Sequence, residues 1–276
     1  MPELPEMVVI AEQMAKMLNG KVFQTLFIFQ PKCLNRPEAD FQKILPGKKI
    51  NKVAPYGKWV AMHLSDKVRL LVSLGMGGEL RSLKKNQSPP EKARVVVRFT
   101  DGTGFFIALW WFGYVHLILD GEQHPMTDTL GPDPLELSSP EFRSLFAGRR
   151  GAVKSFLLNQ KRVRGIGNFY IQEILFKAHL HPLHPIPSLS TSALNRLHKA
   201  IRDVFRESIQ LGSSSYELDF FGKKGKYGLN RMSFAYQDGA PCPKCGAQTR
   251  KIKTGSTAQY ICSKCQVLPK TMTTKK

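Results

Sequence analysis

An α+β chain of several domains is the architecture this sequence predicts, and three observations carry it. Hydrophobic periodicity switches twice, from one helical segment to short apolar runs and then back to helical spacing. A linker-like stretch, Leu130-Gly131-Pro132-Asp133-Pro134, falls at the second switch. Two Cys-x-x-Cys pairs lie in the tail beyond Gln237. A length of 276 residues is long for one domain and sufficient for two or three. The expected division is a strand-rich N-terminal domain over 1–130, a helical domain over 131–234, and a cysteine-bearing hairpin with a basic tail over 235–276.

Pro5 to Leu18 reads as a helix. Ile10, Met14, Met17 and Leu18 share one face, Pro5 suits the first turn, and Asn19-Gly20 ends it. From Lys21 to about Leu119 the runs are those of strands: Val53 to Leu64, Val68 to Leu74, and Val95 to Leu109. The last is broken at Asp101-Gly102-Thr103-Gly104, a hairpin signal. A sandwich or barrel is the expected form. Beyond the linker, Ser139 to Ala147, Lys154 to Gln160, Asn168 to Ala178 and Thr191 to Leu211 read as helices. Asp219 to Arg231, rich in Gly and Lys, reads as a mobile loop.

The hydrophobic fraction of 42% allows a sizeable core, and no apolar run is long enough to span a membrane. Glu3 and Glu6 stand where a secretory signal would be basic, so the expected compartment is the cytoplasm, in association with the nucleoid. Lys and Arg number 41 against 21 Asp and Glu, a net charge of +20 that points to a polyanion. The charge is clustered: seven basic residues and no acid from Arg143 to Arg164, and eight with no acid from Pro241 to Lys276. Such blocks repel themselves unless phosphates neutralise them.

Cys242-Pro243-Lys244-Cys245 and Cys262-Ser263-Lys264-Cys265 are separated by 16 residues. Two-residue gaps let both sulfurs of a pair reach one tetrahedral ion, so the spacing is that of a four-thiolate zinc site. With every ligand position filled by protein, the expected role is structural, one Zn²⁺ per chain. Its binding would order a hairpin with too little core to fold alone. Cys33 stands apart.

The chain begins Met1-Pro2-Glu3-Leu4-Pro5-Glu6, and the small second residue suits removal of Met1, leaving Pro2 with a free secondary amine. Downstream come Gly57-Lys58, Leu74-Gly75-Met76, Leu157-Leu158-Asn159-Gln160, Gly165-Ile166-Gly167-Asn168-Phe169-Tyr170, Glu173, and the four paired cysteines. In this order and over the whole chain, these segments resemble the Fpg/Nei family of DNA glycosylases (formamidopyrimidine-DNA glycosylase and endonuclease VIII). The most specific pieces are the N-terminal hexapeptide and Gly165 to Asn168. The resemblance implies an N-terminal β-sandwich, a helix–two-turns–helix domain and a C-terminal zinc-finger hairpin.

It also implies chemistry. Pro2 would attack the sugar C1′, and Glu3 would protonate the sugar ring oxygen as the ring opens. A terminal amine titrates near 8, so a useful fraction is neutral at working pH. Glu6 matches a family glutamate, although its place in a first helical turn is explained equally well by the helix dipole. Lys58 matches the family's phosphate-gripping lysine, and Lys154 the lysine before Leu-Leu. Gly165 and Gly167 would let the backbone approach a phosphate, with Asn168 capping the helix that follows. Met76 and Phe112 would fill the space left by a flipped base. Arg162, within Lys161-Arg162-Val163-Arg164, is a further expected phosphate contact. The implied activity is that of a bifunctional glycosylase and AP lyase of base excision repair, nicking by β,δ-elimination. The implied partner is damaged double-stranded or distorted DNA, met by a monomer with no membrane association.

The sequence departs from the family in its recognition elements. The usual Asp-Pro-Arg-Arg-Phe-Gly is Ala108-Leu109-Trp110-Trp111-Phe112-Gly113, so Trp110 replaces the arginine that meets the orphan base. Ser73 replaces a histidine, Thr257 the zinc-hairpin arginine, and Ala235-Tyr236-Gln237 the usual Tyr-Gly-Arg. Two readings of the tryptophans stand: stacking in the gap, or one of the pair packing in the core, since neighbouring strand residues face opposite ways. Readings of the whole stand open as well, among them a general zinc-ribbon nucleic-acid-binding protein with no preference for damage, and two on the resembled fold. One is an active enzyme with altered lesion or opposite-base specificity; the other is a non-catalytic binder of damaged or abasic DNA on the same fold.

Overall fold

In the structure, a computed structural model that describes residues 1–255 and 257–269, the chain divides by its packing into two compact units. The first comprises Met1–Thr129 with Ser208–Lys226, and the second Leu130–Glu207 with the chain from Tyr227 onward. The helical stretch and the cysteine-bearing hairpin thus share one unit, while the segment after the longest helix returns to the N-terminal one.

The first unit opens with α1 (Leu4–Leu18), whose buried stripe includes Met7, Ile10, Ala11, Met14 and Leu18. Two antiparallel four-stranded sheets follow. One has the order β1-β6-β7-β5, with β1 (Phe23–Ile28), β5 (Glu79–Leu83), β6 (Val95–Phe99) and β7 (Gly104–Ala108). The other has the order β2-β3-β4-β8, with β2 (Ile50–Tyr56), β3 (Trp59–Leu64), β4 (Arg69–Ser73) and β8 (Tyr114–Ile118). Alternate residues of each sheet meet in one core: Val95, Val97 and Phe105 from the first, Val60, Met62 and Leu70 from the second. This is the β-sandwich. A short helix, α2 (Glu38–Ile44), was not foreseen; Phe41 is its one fully buried residue, too little to create a periodic signal.

The run from Val53 to Leu64 is broken at Gly57-Lys58, with Tyr56 paired to Trp59. Gly57 has φ +63°, as the first residue of a two-residue turn of this kind requires. The stretch expected as a mobile loop is tied down at its start. Asp219 accepts the amides of Phe221 at 3.0 Å and Lys223 at 2.7 Å, and the side-chain amide of Gln13 on α1 at 2.9 Å. Phe220 beside it joins the sandwich core.

The second unit carries α3 (Ser139–Ser144), α4 (Val153–Leu158), α5 (Tyr170–Lys177), α6 (Thr191–Gln210) as far as Glu207, and a hairpin of β9 (Arg250–Thr254) and β10 (Thr257–Ile261). One glutamine seats the hairpin: Gln172 on α5 donates to the Ala258 carbonyl at 3.2 Å and accepts the Tyr260 amide at 3.0 Å. Next to it Glu173, 2% exposed, accepts the amide and hydroxyl of Ser233 at 2.8 and 2.9 Å. Burial raises the pKa of Glu173, and the two Ser233 bonds oppose that rise. Among the described residues no helix is long and apolar enough to cross a membrane.

Candidate functional site

Pro2 is buried at the head of α1, and Glu3 and Glu6 are 3% and 2% exposed. Glu3 has extended backbone before the first helical turn, and its carbonyl accepts the Met7 amide at 3.1 Å. Pro5 occupies a first-turn position that needs no donor. Glu6 binds backbone with both oxygens: Oε2 accepts the Glu3 amide at 2.8 Å and Oε1 the Ser214 amide at 3.2 Å. The Met1 ammonium lies 3.2 Å from Glu217 Oε1. Lys58 stands half-buried at the tip of the β2–β3 hairpin, which packs on α1.

In the same unit, Met76, Trp110, Trp111 and Phe112 are 44%, 67%, 65% and 65% exposed. β7 ends at Ala108, Leu109 turns inward, and the next three residues turn out. Neither tryptophan packs in the core, because both lie beyond the strand and the alternation of strand faces does not reach them. The Met76 amide donates to the Trp111 carbonyl at 2.8 Å. Gly75, at φ +58°, permits this approach: a Cβ there would lie 1.9 Å from that carbonyl oxygen. Phe112 itself has φ +56°, an uncommon backbone for an aromatic residue.

In the second unit the segment from Gly165 to Asn168 is pinned by Gln160. Its Oε1 accepts the Gly165 amide at 2.8 Å and its Nε2 donates to the Ile166 carbonyl at 2.8 Å. Gly165 has φ +90°. The Gly167 carbonyl accepts the Ile171 amide at 3.3 Å, so helical bonding begins before Asn168. Asn168 therefore does not cap α5, contrary to expectation. Its side chain is exposed, and its carbonyl accepts the Tyr236 hydroxyl at 3.3 Å. Arg162 shares a cavity of about 420 Å³ with Arg149, Arg150, Ser155 and Asn159. Arg164, the last cation of the expected phosphate-binding run, is 3.7 Å from Asp133 and 3.6 Å from Glu136, so its charge anchors the linker.

The four sulfurs of Cys242, Cys245, Cys262 and Cys265 lie within 4.8 Å of one another. Cys242 to Cys265 is 3.8 Å and Cys245 to Cys262 is 3.4 Å. A tetrahedral ion with metal–sulfur bonds of about 2.3 Å sets its sulfurs about 3.8 Å apart, whereas a disulfide needs about 2.05 Å. The residues fit a metal. Lys154, expected to face DNA, is instead buried at 3% exposure against the hairpin. Its Nζ donates to Thr254 Oγ1 at 2.7 Å and Thr257 Oγ1 at 3.0 Å. No carboxylate is among these partners, and burial pulls its pKa down to about 8.

Two family models match the chain: the formamidopyrimidine-DNA glycosylase N-terminal domain over residues 1–108, and the H2TH domain of the same enzyme over 130–219. The formamidopyrimidine-DNA glycosylase of Bacillus licheniformis is 32% identical over 96% of this chain and 99% of its own length. The chain belongs to the formamidopyrimidine-DNA glycosylase family. The Bacillus subtilis member of that family is likewise 32% identical, over 96% of this chain and 99% of its own. Among solved structures, Lactococcus lactis Fpg bound to DNA containing N7-benzyl-Fapy-dG superposes with a TM-score of 0.87 at 27% identity, covering 96% of this chain and 100% of that one. The same enzyme bound to DNA with an abasic site gives 0.86 at 28%, covering 96% and 99%. Fpg of Thermus thermophilus gives 0.84 at 27%, covering 98% and 100%.

For this Fpg-type DNA glycosylase of the DNA-repair class, sequence reasoning missed three supporting residues. Ser214 carries no local signal, because only folding brings it to Glu6, 208 positions away. Thr254 is equally silent. Gln160 stands in the family-like motif, but its part as the clamp of the glycine turn is visible only in the structure.

Proposed function

We propose that this chain is a bifunctional DNA glycosylase and AP lyase whose nucleophile is the Pro2 amine, exposed once Met1 is removed. The observation that carries the reading is the grip on the N-terminus: Glu6 holds the Glu3 amide and the Ser214 amide together. A nucleophile at a chain end needs such fixing, since free termini sample many directions. The neutral amine attacks C1′ as the damaged base leaves with the bonding pair, and the ammonium so formed passes its N–H proton to the departing base, which restores the nitrogen lone pair. Ring opening breaks C1′–O4′, Glu3 gives O4′ its proton, and the nitrogen lone pair forms an iminium at C1′. Loss of a C2′ proton expels the 3′ phosphate, a second elimination expels the 5′ phosphate, and water frees the amine. Glu6 is a positioning residue on this account. Lys58 and the turn from Gly165 to Asn168 serve as phosphate contacts, and the four cysteines hold one structural Zn²⁺.

Borohydride reduces an iminium to a stable amine, so it tests the reading directly. A covalent adduct with abasic duplex is expected from protein lacking Met1, and none from protein blocked by a retained N-terminal tag. Failure to trap with Met1 absent would replace this reading with that of a non-catalytic binder.

The specificity is proposed to differ from that of an arginine-bearing enzyme. An arginine donates paired hydrogen bonds to base edges, whereas an indole offers one N–H and a broad face. Trp110 and Trp111, both two-thirds exposed beside Met76 and Phe112, are set to stack in the space left by the flipped base.

A further inference from the structure

The exposed face of α6 is a basic stripe that none of the chemistry above uses. Arg196, Lys199, Arg202 and Arg206 follow one another at spacings of three, three and four residues, which places them on one helical face. Arg202 is half-buried and the other three are exposed. The acids beside them are Asp203, ion-paired to Lys199 at 2.5 Å, and Glu207, 3.6 Å from Lys177, so the stripe keeps an excess of positive charge. Lys199, Arg202 and Arg206 line a cavity of about 380 Å³ together with Asn195, His198 and the one acid Asp203, three cations against one carboxylate. The stripe continues off the helix: Arg143 Nη1 donates to Asn195 Oδ1 at 2.8 Å, and Arg143 lines a further cavity of about 480 Å³ with Arg149 and Arg150.

We propose that this face is an accessory DNA-binding track that holds the backbone of a second, undamaged duplex. The chemistry on the face selects the partner. A protein partner needs an apolar centre to its interface, and none of the large exposed apolar side chains of the second unit lies on α6 or between Arg143 and Arg150. Backbone phosphates need only cations. Ten residues of helix span about 15 Å, and one strand of a duplex carries a charge every 3.4 Å or so. The stripe therefore faces about four phosphates, more than a small anion offers. None of the four cations belongs to the Pro2 site or to the Gly165–Asn168 turn. The proposal rests on the repair reading only in taking DNA as the polyanion.

The test is capture of a second duplex. The protein is saturated with a short duplex of about 13 base pairs containing an uncleavable abasic analogue. A labelled, undamaged 30-base-pair duplex is then titrated in at low salt and the ternary complex is read by gel shift. Wild type is expected to capture the second duplex, with an affinity that falls steeply as salt rises. The variant Arg196→Gln/Lys199→Gln/Arg202→Gln/Arg206→Gln is expected to lose that capture at least tenfold and to keep its affinity for the short duplex. Zinc content and thermal unfolding would show that the variant is folded. Absence of a ternary complex in wild type, equal capture by the variant, or an equal loss of the short duplex would each overturn the track. Because nothing need be cleaved, none of these outcomes bears on the Pro2 chemistry, which borohydride trapping tests separately.

Discussion

Lys154 donates a hydrogen bond to Thr254 across 100 positions of sequence, and this ties the cation of α4 to the β9–β10 hairpin. The ammonium is buried among neutral oxygens, and its pKa falls from 10.5 to about 8. Below pH 8 both the folded and unfolded states hold the proton, and the full cost of burying the charge is present. Between about 8 and 10.5 the unfolded chain binds more protons than the folded one, so this group makes the protein more stable as pH rises. The difference in unfolding free energy between wild type and Lys154→Met should therefore grow in favour of wild type over that window. Parallel urea titrations from pH 7 to 10.5 measure it, and a constant difference would refute the account.

Removal of metal should act on the second unit first. Binding energy at a four-thiolate site is folding energy, on the order of 10 kcal/mol. Purified protein is expected to hold about one zinc per chain, and chelation to unfold the β9–β10 hairpin. Cys262→Ser, at a position with 0% exposure, should weaken DNA binding before it alters amine reactivity. Metal analysis with DNA titration checks this; full DNA affinity in metal-free protein would contradict it.

Glu6 and Glu3 should separate by kind of defect. Glu6→Gln leaves one carbonyl oxygen for two backbone amides, and an unsatisfied buried donor costs about 1–3 kcal/mol. A lower unfolding temperature is expected together with slower base removal. Glu3→Gln should slow base removal more than nicking at a preformed abasic site, with stability little changed. Equal slowing of both steps by Glu3→Gln would remove it from the ring-opening role.

Trp110→Ala and Trp111→Ala should weaken excision without changing partner choice. Stacking contributes about 1–3 kcal/mol per base and tolerates any base. Rates opposite each of the four bases, and in single strands, should be similar in wild type and fall together in the variants. A strong preference for one opposite base that survives the double substitution would end the stacking proposal. Gly75→Ala should imitate these losses, since its Cβ would collide with the Trp111 carbonyl and unseat the loop.

Much of this protein was legible in one dimension because the physics behind it is local. Two intervening residues let both sulfurs of a pair reach one tetrahedral ion, so Cys242, Cys245, Cys262 and Cys265 announce their cluster by spacing alone. The period of two in the strands and of 3.6 in α1 and α6 follows from which face meets the core. The N-terminal hexapeptide and Gly165 to Asn168 carried the family. Tertiary structure alone decided the rest. It turned Lys154 from an expected DNA contact into a buried cation, removed Asn168 from its helix cap, paired Arg164 with Asp133 and Glu136, and set both tryptophans in solvent. The reason is common to all four. Burial and pairing depend on which distant segments the folded chain brings within a few ångströms. A lysine before Leu-Leu reads the same whether its ammonium meets a phosphate or two threonines one hundred residues away.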